Sequence, residues 1–237
     1  LLYAVPDRAN PRDFVGTPLV ISVLADDRRD APPGPMVIRV TPLRYAVMDT
    51  DKGQMTLAFY YDVAPHTVDT FLRLAEEGFY DGLTFHRIVP KLPIQGGDPR
   101  GDGSGGPGFQ IGAEFNDREH DVGVLSMARE GDPIERQGAM PRPEWANSAG
   151  SQFFICLSRE STRQLDRKYT VFGKVTEGLD VVESIGATPV GGETRDVPVE
   201  RREIRSVKVF PVRKEHNPYE TLLKVNDSAE REPGVGK

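Results

Sequence analysis

The chain has 237 residues, a formal net charge of −6 and a hydrophobic fraction of 38%. That acidic balance excludes nucleic acid as the default partner, because phosphate binding needs a basic surface. The single cysteine, Cys156, excludes an internal disulfide, and no apolar run approaches the roughly 20 residues that span a bilayer.

Residues 1–17 read as an irregular polar lead-in with Pro6 and Pro11. The opening Leu1-Leu2-Tyr3 has no methionine, as expected of a processed or trimmed chain, so a cytoplasmic, periplasmic or secreted location stays open. Leu19 to Leu24 and Met36 to Val40, around a charged, Pro-rich loop, predict a strand pair. Residues 1–42 are therefore expected to form an N-terminal β extension. From Leu43 the pattern becomes regular. Tyr45 to Met48 and Met55 to Tyr60 flank Asp51-Lys52-Gly53, a hairpin signal. Pro65 opens a segment with Val68, Phe71, Leu72 and Ala75 at helical spacing and Gly78 as its stop. A second helix is predicted from Leu179 to Ile185. Strand-like pieces run over Leu83 to Val89, Gly123 to Ala128, Phe153 to Leu157, Thr170 to Val175 and Ile204 to Phe210. Many strands with two helices, among 20 prolines and 24 glycines, suggest a closed barrel with helical plugs, since closure removes exposed edges. Residues 43–212 form this domain, and 213–237 are expected to be a charged, loosely ordered tail.

Most common catalytic signatures fail. Gly101-Asp102-Gly103-Ser104-Gly105-Gly106 matches GxGxxG formally, but Pro107 and Gly108 stand where that motif needs a helix start. No Gly-x-Ser-x-Gly elbow is present, and Ser126 lies inside an apolar run. His66, His86, His120 and His216 show no metal-ligand spacing, so no metal site is expected. Cys156 reads as a small buried core residue. What remains is Phe85-His86-Arg87-Ile88-Val89, a cation inside an apolar, strand-like run. Strand alternation would put Phe85, Arg87 and Val89 on one face, with His86 and Ile88 on the other. His86 reads as a hydrogen-bonded packing residue rather than an acid or base. Arg87 is either half of a structural salt bridge or a functional donor.

Phe85-His86-Arg87-Ile88-Val89-Pro90, followed by Gln95-Gly96-Gly97-Asp98, resembles the signature of the cyclophilin-type peptidyl-prolyl cis/trans isomerases. So do Leu125-Ser126-Met127-Ala128, Gly150 to Ile155 and Tyr169 to Val175, in the right order over about residues 43–212. The resemblance implies a mainly β fold, a closed eight-stranded antiparallel barrel capped by two helices. It implies catalytic roles for Arg87, which meets the substrate prolyl region, for Gln95 beside it, and for Phe154 as the aromatic floor of the proline pocket. Leu165 would be the pocket's apolar wall. Gln152 and the backbone near Ala128 and Arg129 would line the groove for the peptide main chain, and His86, Leu92, Pro93, Gln164 and Tyr169 complete the implied substrate-binding set.

The chemistry suits these residue types. Rotation about an X-Pro bond faces a barrier of roughly 20 kcal/mol, because the amide is resonance-stabilised. No bond is made or broken, so no nucleophile, metal or cofactor is expected. An apolar pocket must grip the proline ring while a fixed cation favours the twisted amide, and a guanidinium suits that task.

Four positions depart from the family pattern: Leu92 for phenylalanine, Pro93 for methionine, Tyr169 for histidine and Gln164 for tryptophan. The last predicts weak cyclosporin binding. An insertion fills residues 129–146, charged, Pro-rich and carrying the only tryptophan, Trp145. It reads either as a tolerated surface loop or as a flap that extends the groove, with Trp145 as a contact. The expectation is a monomeric isomerase that assists folding and acts on proline-containing peptides and unfolded or folding proteins, with no membrane or nucleic-acid partner. The rival reading is a cyclophilin-like module that binds proline segments without useful turnover; the altered Leu92, Pro93 and Tyr169 favour it slightly, whereas Arg87, Gln95 and Phe154 together favour the enzyme.

Overall fold

The computed structural model of the chain describes residues 19–24, 37–213 and 215–219. Strands β1 (Leu19–Leu24) and β2 (Val37–Pro42) pair antiparallel, from Leu19 opposite Pro42 to Leu24 opposite Val37. Next come β3 (Arg44–Thr50), β4 (Gly53–Phe59), helix α1 (Pro65–Glu76), β5 (Arg87–Ile88), β6 (Pro93–Gly96) and β7 (Val124–Met127). The one-turn helix α2 (Pro143–Ala146), β8 (Phe153–Cys156), a second one-turn helix α3 (Arg159–Thr162), β9 (Val171–Glu177) and α4 (Leu179–Gly186) follow. The two-residue strands β10 (Val190–Gly191) and β11 (Val197–Pro198) precede β12 (Ile204–Pro211). Eight of these form one antiparallel sheet in the order β12-β3-β4-β9-β7-β8-β6-β5.

The predicted hairpin is β3–β4, closed by Thr50 opposite Gly53. In α1, Pro65 stands at the first turn, where its missing N–H is no loss, and Val68, Phe71, Leu72 and Ala75 are buried as their spacing requires. Helix α4 follows Gly178, which has a φ of +85°; a Cβ there would stand 2.4 Å from the Gln54 carbonyl. Inside the sheet's curve, Phe71 touches Phe59, Tyr80, Phe153 and Phe172 at centroid distances of 4.8 to 5.6 Å. Fully burying one such ring stabilises the fold by about 2–3 kcal/mol.

The barrel is not fully closed, which corrects the sequence expectation. No ladder joins β5 to β12 among the described residues. The β10–β11 hairpin covers the outer edge of β5 instead, and Ile88 gives its N–H to the Asp196 carbonyl at 2.7 Å. Nearer the ends of the seam a single bridge, Thr84 to Glu203, stitches the two flanks.

After β12 the chain stays attached as far as Tyr219, whose hydroxyl accepts the Phe59 N–H at 2.9 Å and donates to the Arg44 carbonyl at 2.7 Å. The lead-in 1–18, the loop 25–36 and the remaining tail 220–237, with Leu222 and Leu223, lie outside the described residues.

Candidate active site

Strand register assembles the first part of the site. Arg87 on β5 lies opposite Gln95 on β6, and Gln95 lies opposite Phe154 on β8. All three project to the outer face of the sheet, because their neighbours Ile88, Ile94, Phe153 and Ile155 belong to the inner core. A row of polar contacts crosses this face. Arg87 Nε donates to Asp196 Oδ2 at 2.7 Å, and its Nη1 reaches Gln95 Oε1 at 3.5 Å. Gln95 Nε2 donates to Gln152 Oε1 at 2.9 Å. Gln152 Nε2 donates to the carbonyls of Gly103 and Gly105, at 2.9 and 2.8 Å. Arg87 is half exposed, while Asp196 beside it is 16% exposed. Thr194 and Arg87 both donate to the Asp196 carboxylate and hold it below the usual range.

The glycine-rich run is thus a strut rather than a nucleotide cradle. Several of its N–H groups are already committed: Asp98 accepts from the backbone of Asp102 and Gly103, and from Arg100 just before the run, while Asp102 accepts from the Ser104 N–H. Burial alone would raise the Asp98 pKa, but the N–H groups of Arg100, Gly103 and Gly105, with His86 nearby, outweigh it and leave the carboxylate low. Beside the run a groove of about 870 Å³ opens, lined by Gln95, Gly103, Ala128, Arg129, Ser148 and Gln152 among others.

The second part is an apolar cluster on the same face. Phe154 is 4% exposed, and Leu165, Tyr169 and Ala128 pack around it with Val124, Cys156 and Val171. Tyr169 meets Phe154 edge-on at 5.8 Å and 78°. Burial pushes the Cys156 thiol up to about 12, so it stays an inert packing group here. Underneath, the His120 ring stacks on Phe154 at 5.9 Å and 13°. Its Nδ1 lies 2.9 Å from Asp166 Oδ1 and its Nε2 3.1 Å from Ser126 Oγ. Burial lowers the His120 pKa against the pull of Asp166, so the ring is neutral, with Nδ1–H given to Asp166 and Nε2 accepting from Ser126. Ser126 also lies 3.0 Å from the Thr170 carbonyl, which the Met127 N–H already satisfies. The Ser-His-Asp pattern is not a nucleophile, since Ser126 and His120 are both 0% exposed.

The 129–146 excursion is folded. Asp132 caps a 3-10 turn at Pro133–Gln137 through a capping box with Glu135. Asp132 also accepts from the backbone and guanidinium of Arg142, which hold its carboxyl well below the usual range. Trp145 is half-buried on α2 with Arg142 over its ring, and the excursion lines the groove with Arg129 and Glu130 rather than with Trp145.

Two sequence expectations need correction. Phe85 and Arg87 do not share a face: Phe85 and Ile88 both enter the inner core, and Arg87 faces out. The cause is that Leu83 to Val89 is not one strand; Thr84 makes an isolated bridge and β5 begins only at Arg87. His86 is buried, but neither of its ring nitrogens has a hydrogen-bond partner among the described residues. Burial lowers its pKa, with Asp98 and Asp102 opposing and Arg87 reinforcing that shift. Of the remaining implied residues, Leu92 is half-buried on the turn into β6, Pro93 opens β6 opposite Cys156, and Gln164 is exposed. Asp196, Glu135 and the His120–Asp166 pair are site neighbours that the sequence reading did not find. Asp196 is 109 positions from Arg87, and its hairpin strands are too short to show a period. Among the described residues no group of three His, Cys, Asp or Glu side chains converges as a metal cluster would.

The family model described as cyclophilin type peptidyl-prolyl cis-trans isomerase/CLD matches residues 45–209. The chain is 44% identical over 142 residues to a peptidyl-prolyl cis-trans isomerase of Synechococcus elongatus, covering 59% of this chain and 87% of the relative. It is 42% identical over 147 residues to peptidyl-prolyl cis-trans isomerase B of Bacillus subtilis, covering 61% and 92%. Among solved structures, a cyclophilin type isomerase of Cryptosporidium parvum, crystallised in the presence of the dipeptide Ala-Pro, superposes with a TM-score of 0.61 at 27% identity. It covers 71% of this chain and 99% of that one.

Proposed function

The chain belongs to the cyclophilin-type peptidyl-prolyl cis/trans isomerase family, and from that premise we propose that it turns X-Pro bonds on the outer face of β5, β6 and β8, with Arg87 as the central donor. Residues 43–212 are the catalytic unit, and residues 1–42 and 213–237 are appendages to it. One observation carries the reading: a half-exposed guanidinium, held on one side by Asp196, stands two strands from a buried aromatic floor.

Phe154, Leu165, Tyr169 and Ala128 take the ring of the substrate proline, and Leu92 and Pro93 border the pocket on the β6 side. His86 is packing beside the Asp98 turn and the glycine run. As the amide twists, the nitrogen lone pair localises and attracts a cation, so Arg87 stabilises the twisted state more than either planar one. Asp196 and Gln95 hold the guanidinium beforehand, which leaves little reorganisation at the moment of rotation. Gln152, whose amide nitrogen is committed to Gly103 and Gly105, acts by positioning Gln95. The groove beyond, along Ala128 and Arg129, takes the peptide main chain.

The substrates are proline-containing segments of peptides and of unfolded or folding proteins, and the protein assists folding as a monomer. Neither nucleic acid nor a membrane is proposed as a partner of this acidic chain of net charge −6. Gln164, exposed where many family members carry tryptophan, weakens cyclosporin binding. Calorimetry is expected to give a Kd of micromolar order or weaker, a free energy of about −8 kcal/mol or less in magnitude, and a nanomolar complex would refute it.

The decisive assay is isomerisation of a proline test peptide by wild type and by Arg87→Ala. An active wild type and a variant reduced about 10²–10³-fold are expected for one lost transition-state donor. A folded wild type that binds proline peptides without turning them over would favour a binding module, with Leu92, Pro93 and Tyr169 as the reason.

A further inference from the structure

Two features that set this chain apart, the 129–146 excursion and Tyr169, meet in one buried contact made by Arg129 at the start of the excursion. The Arg129 side chain is 2% exposed, and its guanidinium lies over the Tyr169 ring, 4.2 Å from the centroid. Glu135, on the excursion's 3-10 turn, accepts from Arg129 Nη2 at 2.7 Å and from Nη1 at 3.0 Å. Arg129 Nε and Nη2 also donate to the carbonyl of Lys168, the residue before Tyr169, and Nη1 donates to the Glu130 carbonyl. All of the guanidinium's donors are thereby used. Glu135 is itself fixed, its Oε2 accepting the Asp132 N–H at 3.0 Å.

A guanidinium buried this deeply is costly unless it is paired. Glu135 is the only carboxylate on Arg129 among the described residues, and so it is the group that allows the cation to rest on Tyr169. The Tyr169 ring in turn stands edge-on to Phe154. An unbroken series of contacts therefore runs from the excursion, through Glu135, Arg129 and Tyr169, to the pocket floor.

We propose that Glu135 is a positioning residue for the proline pocket: through Arg129 it fixes the Tyr169 ring against Phe154, so that the excursion sets the wall against which the substrate proline packs. This rests on the isomerase reading of that pocket. The excursion is then neither a passive loop nor a flap that touches peptide through Trp145. It is a brace that holds Tyr169 in place from the excursion side. Removing the brace loosens a binding surface and leaves the Arg87 donor alone, so KM is the parameter that moves.

The experiment is steady-state isomerisation of a proline peptide by wild type, Glu135→Ala, Glu135→Gln, Tyr169→Ala and the double variant Glu135→Ala/Tyr169→Ala. Glu135→Ala is expected to raise KM about five-fold with kcat within about two-fold, and Glu135→Gln, which keeps shape and one acceptor, to fall between. In the Tyr169→Ala background the Glu135→Ala change should add almost nothing. Met140→Ala, on the exposed part of the excursion, should behave as wild type. A purely structural role would lower the melting temperature with KM unchanged, or give additive KM effects in the double variant, and either result overturns the proposal. Should Glu135→Ala not fold, the Glu135→Gln KM decides alone. A wild type without turnover would overturn the isomerase reading and this inference with it. An active wild type with unmoved KM in both Glu135 variants would overturn this inference only.

Discussion

Arg87 has about 2 kcal/mol of side-chain rotamer freedom, and a half-exposed arginine would normally keep most of it. Here its Nε is tied to Asp196 at 2.7 Å, with Asp196 16% exposed and fixed in turn by Thr194. Such a pair adds only about 0–1 kcal/mol to stability once solvent screening is counted. Its consequence is orientation: with Nε anchored, the Nη atoms are directed at one place. Asp196→Ala should therefore lower kcat/KM about ten-fold while the melting temperature barely changes, and Asp196→Asn, which keeps an acceptor, should lose less. Because the effect passes through the guanidinium, removing Asp196 from an Arg87→Ala chain should cost nothing further. A full ten-fold loss in that background would mean that Asp196 meets the substrate itself.

At the scale of elements, what could be read in the sequence was what local chemistry writes down. The β3–β4 turn at Asp51-Lys52-Gly53, the apolar stripe of α1 and the β-branched runs of β9 and β12 each carry their own period or stop residue, and each folded within a few residues of expectation. Arg87, Gln95 and Phe154 could be named from motifs, and the register brings them together. Phe85 to Val89 misled, because alternation holds only inside a strand and β5 is two residues long. The open seam of the barrel was invisible for a related reason. Val190–Gly191 and Val197–Pro198 are too short to announce a hairpin, yet that hairpin takes the Ile88 N–H and keeps β12 away. Gly97 shows the opposite case, a residue whose need is geometric and whose motif is local. Its φ is +84°, and a Cβ would stand 2.4 Å from the Ser151 carbonyl, so only glycine joins β6 to the Asp98 turn. Glu135 and Asp196 were out of reach, since each earns its place by a contact that only the folded chain creates.

For the whole molecule, two histidines buried in the neutral form set the response to acid. His86 is enclosed among Asp98, Asp102 and Arg87 without a hydrogen-bond partner, and His120 lies between Asp166 and Ser126 with Arg159 nearby. Burial lowers both pKa values, so between each folded value and the unfolded value of about 6.5 the unfolded chain binds more protons. Stability then rises with pH across that window and falls as pH drops below about 6.5, by at most about 1.4 kcal/mol per histidine per pH unit. The depressed carboxylates Asp98, Glu135, Asp166 and Asp196 behave differently. Their contribution is present above the unfolded carboxylate pKa, near 4, and is lost only below it. Urea unfolding at pH 7.5 and 5.5 thus isolates the histidines, and the midpoint is expected to be lower at pH 5.5. His86→Phe removes one titrating group and two unpartnered nitrogens while keeping the ring volume, so its midpoints should differ less between the two pH values than those of wild type. Equal midpoints for wild type at both pH values would mean that folding lowers neither pKa, and a higher midpoint at pH 5.5 would mean that the rings are charged in the folded chain; the neutral assignment of His120 above Ser126 would fail with the second result.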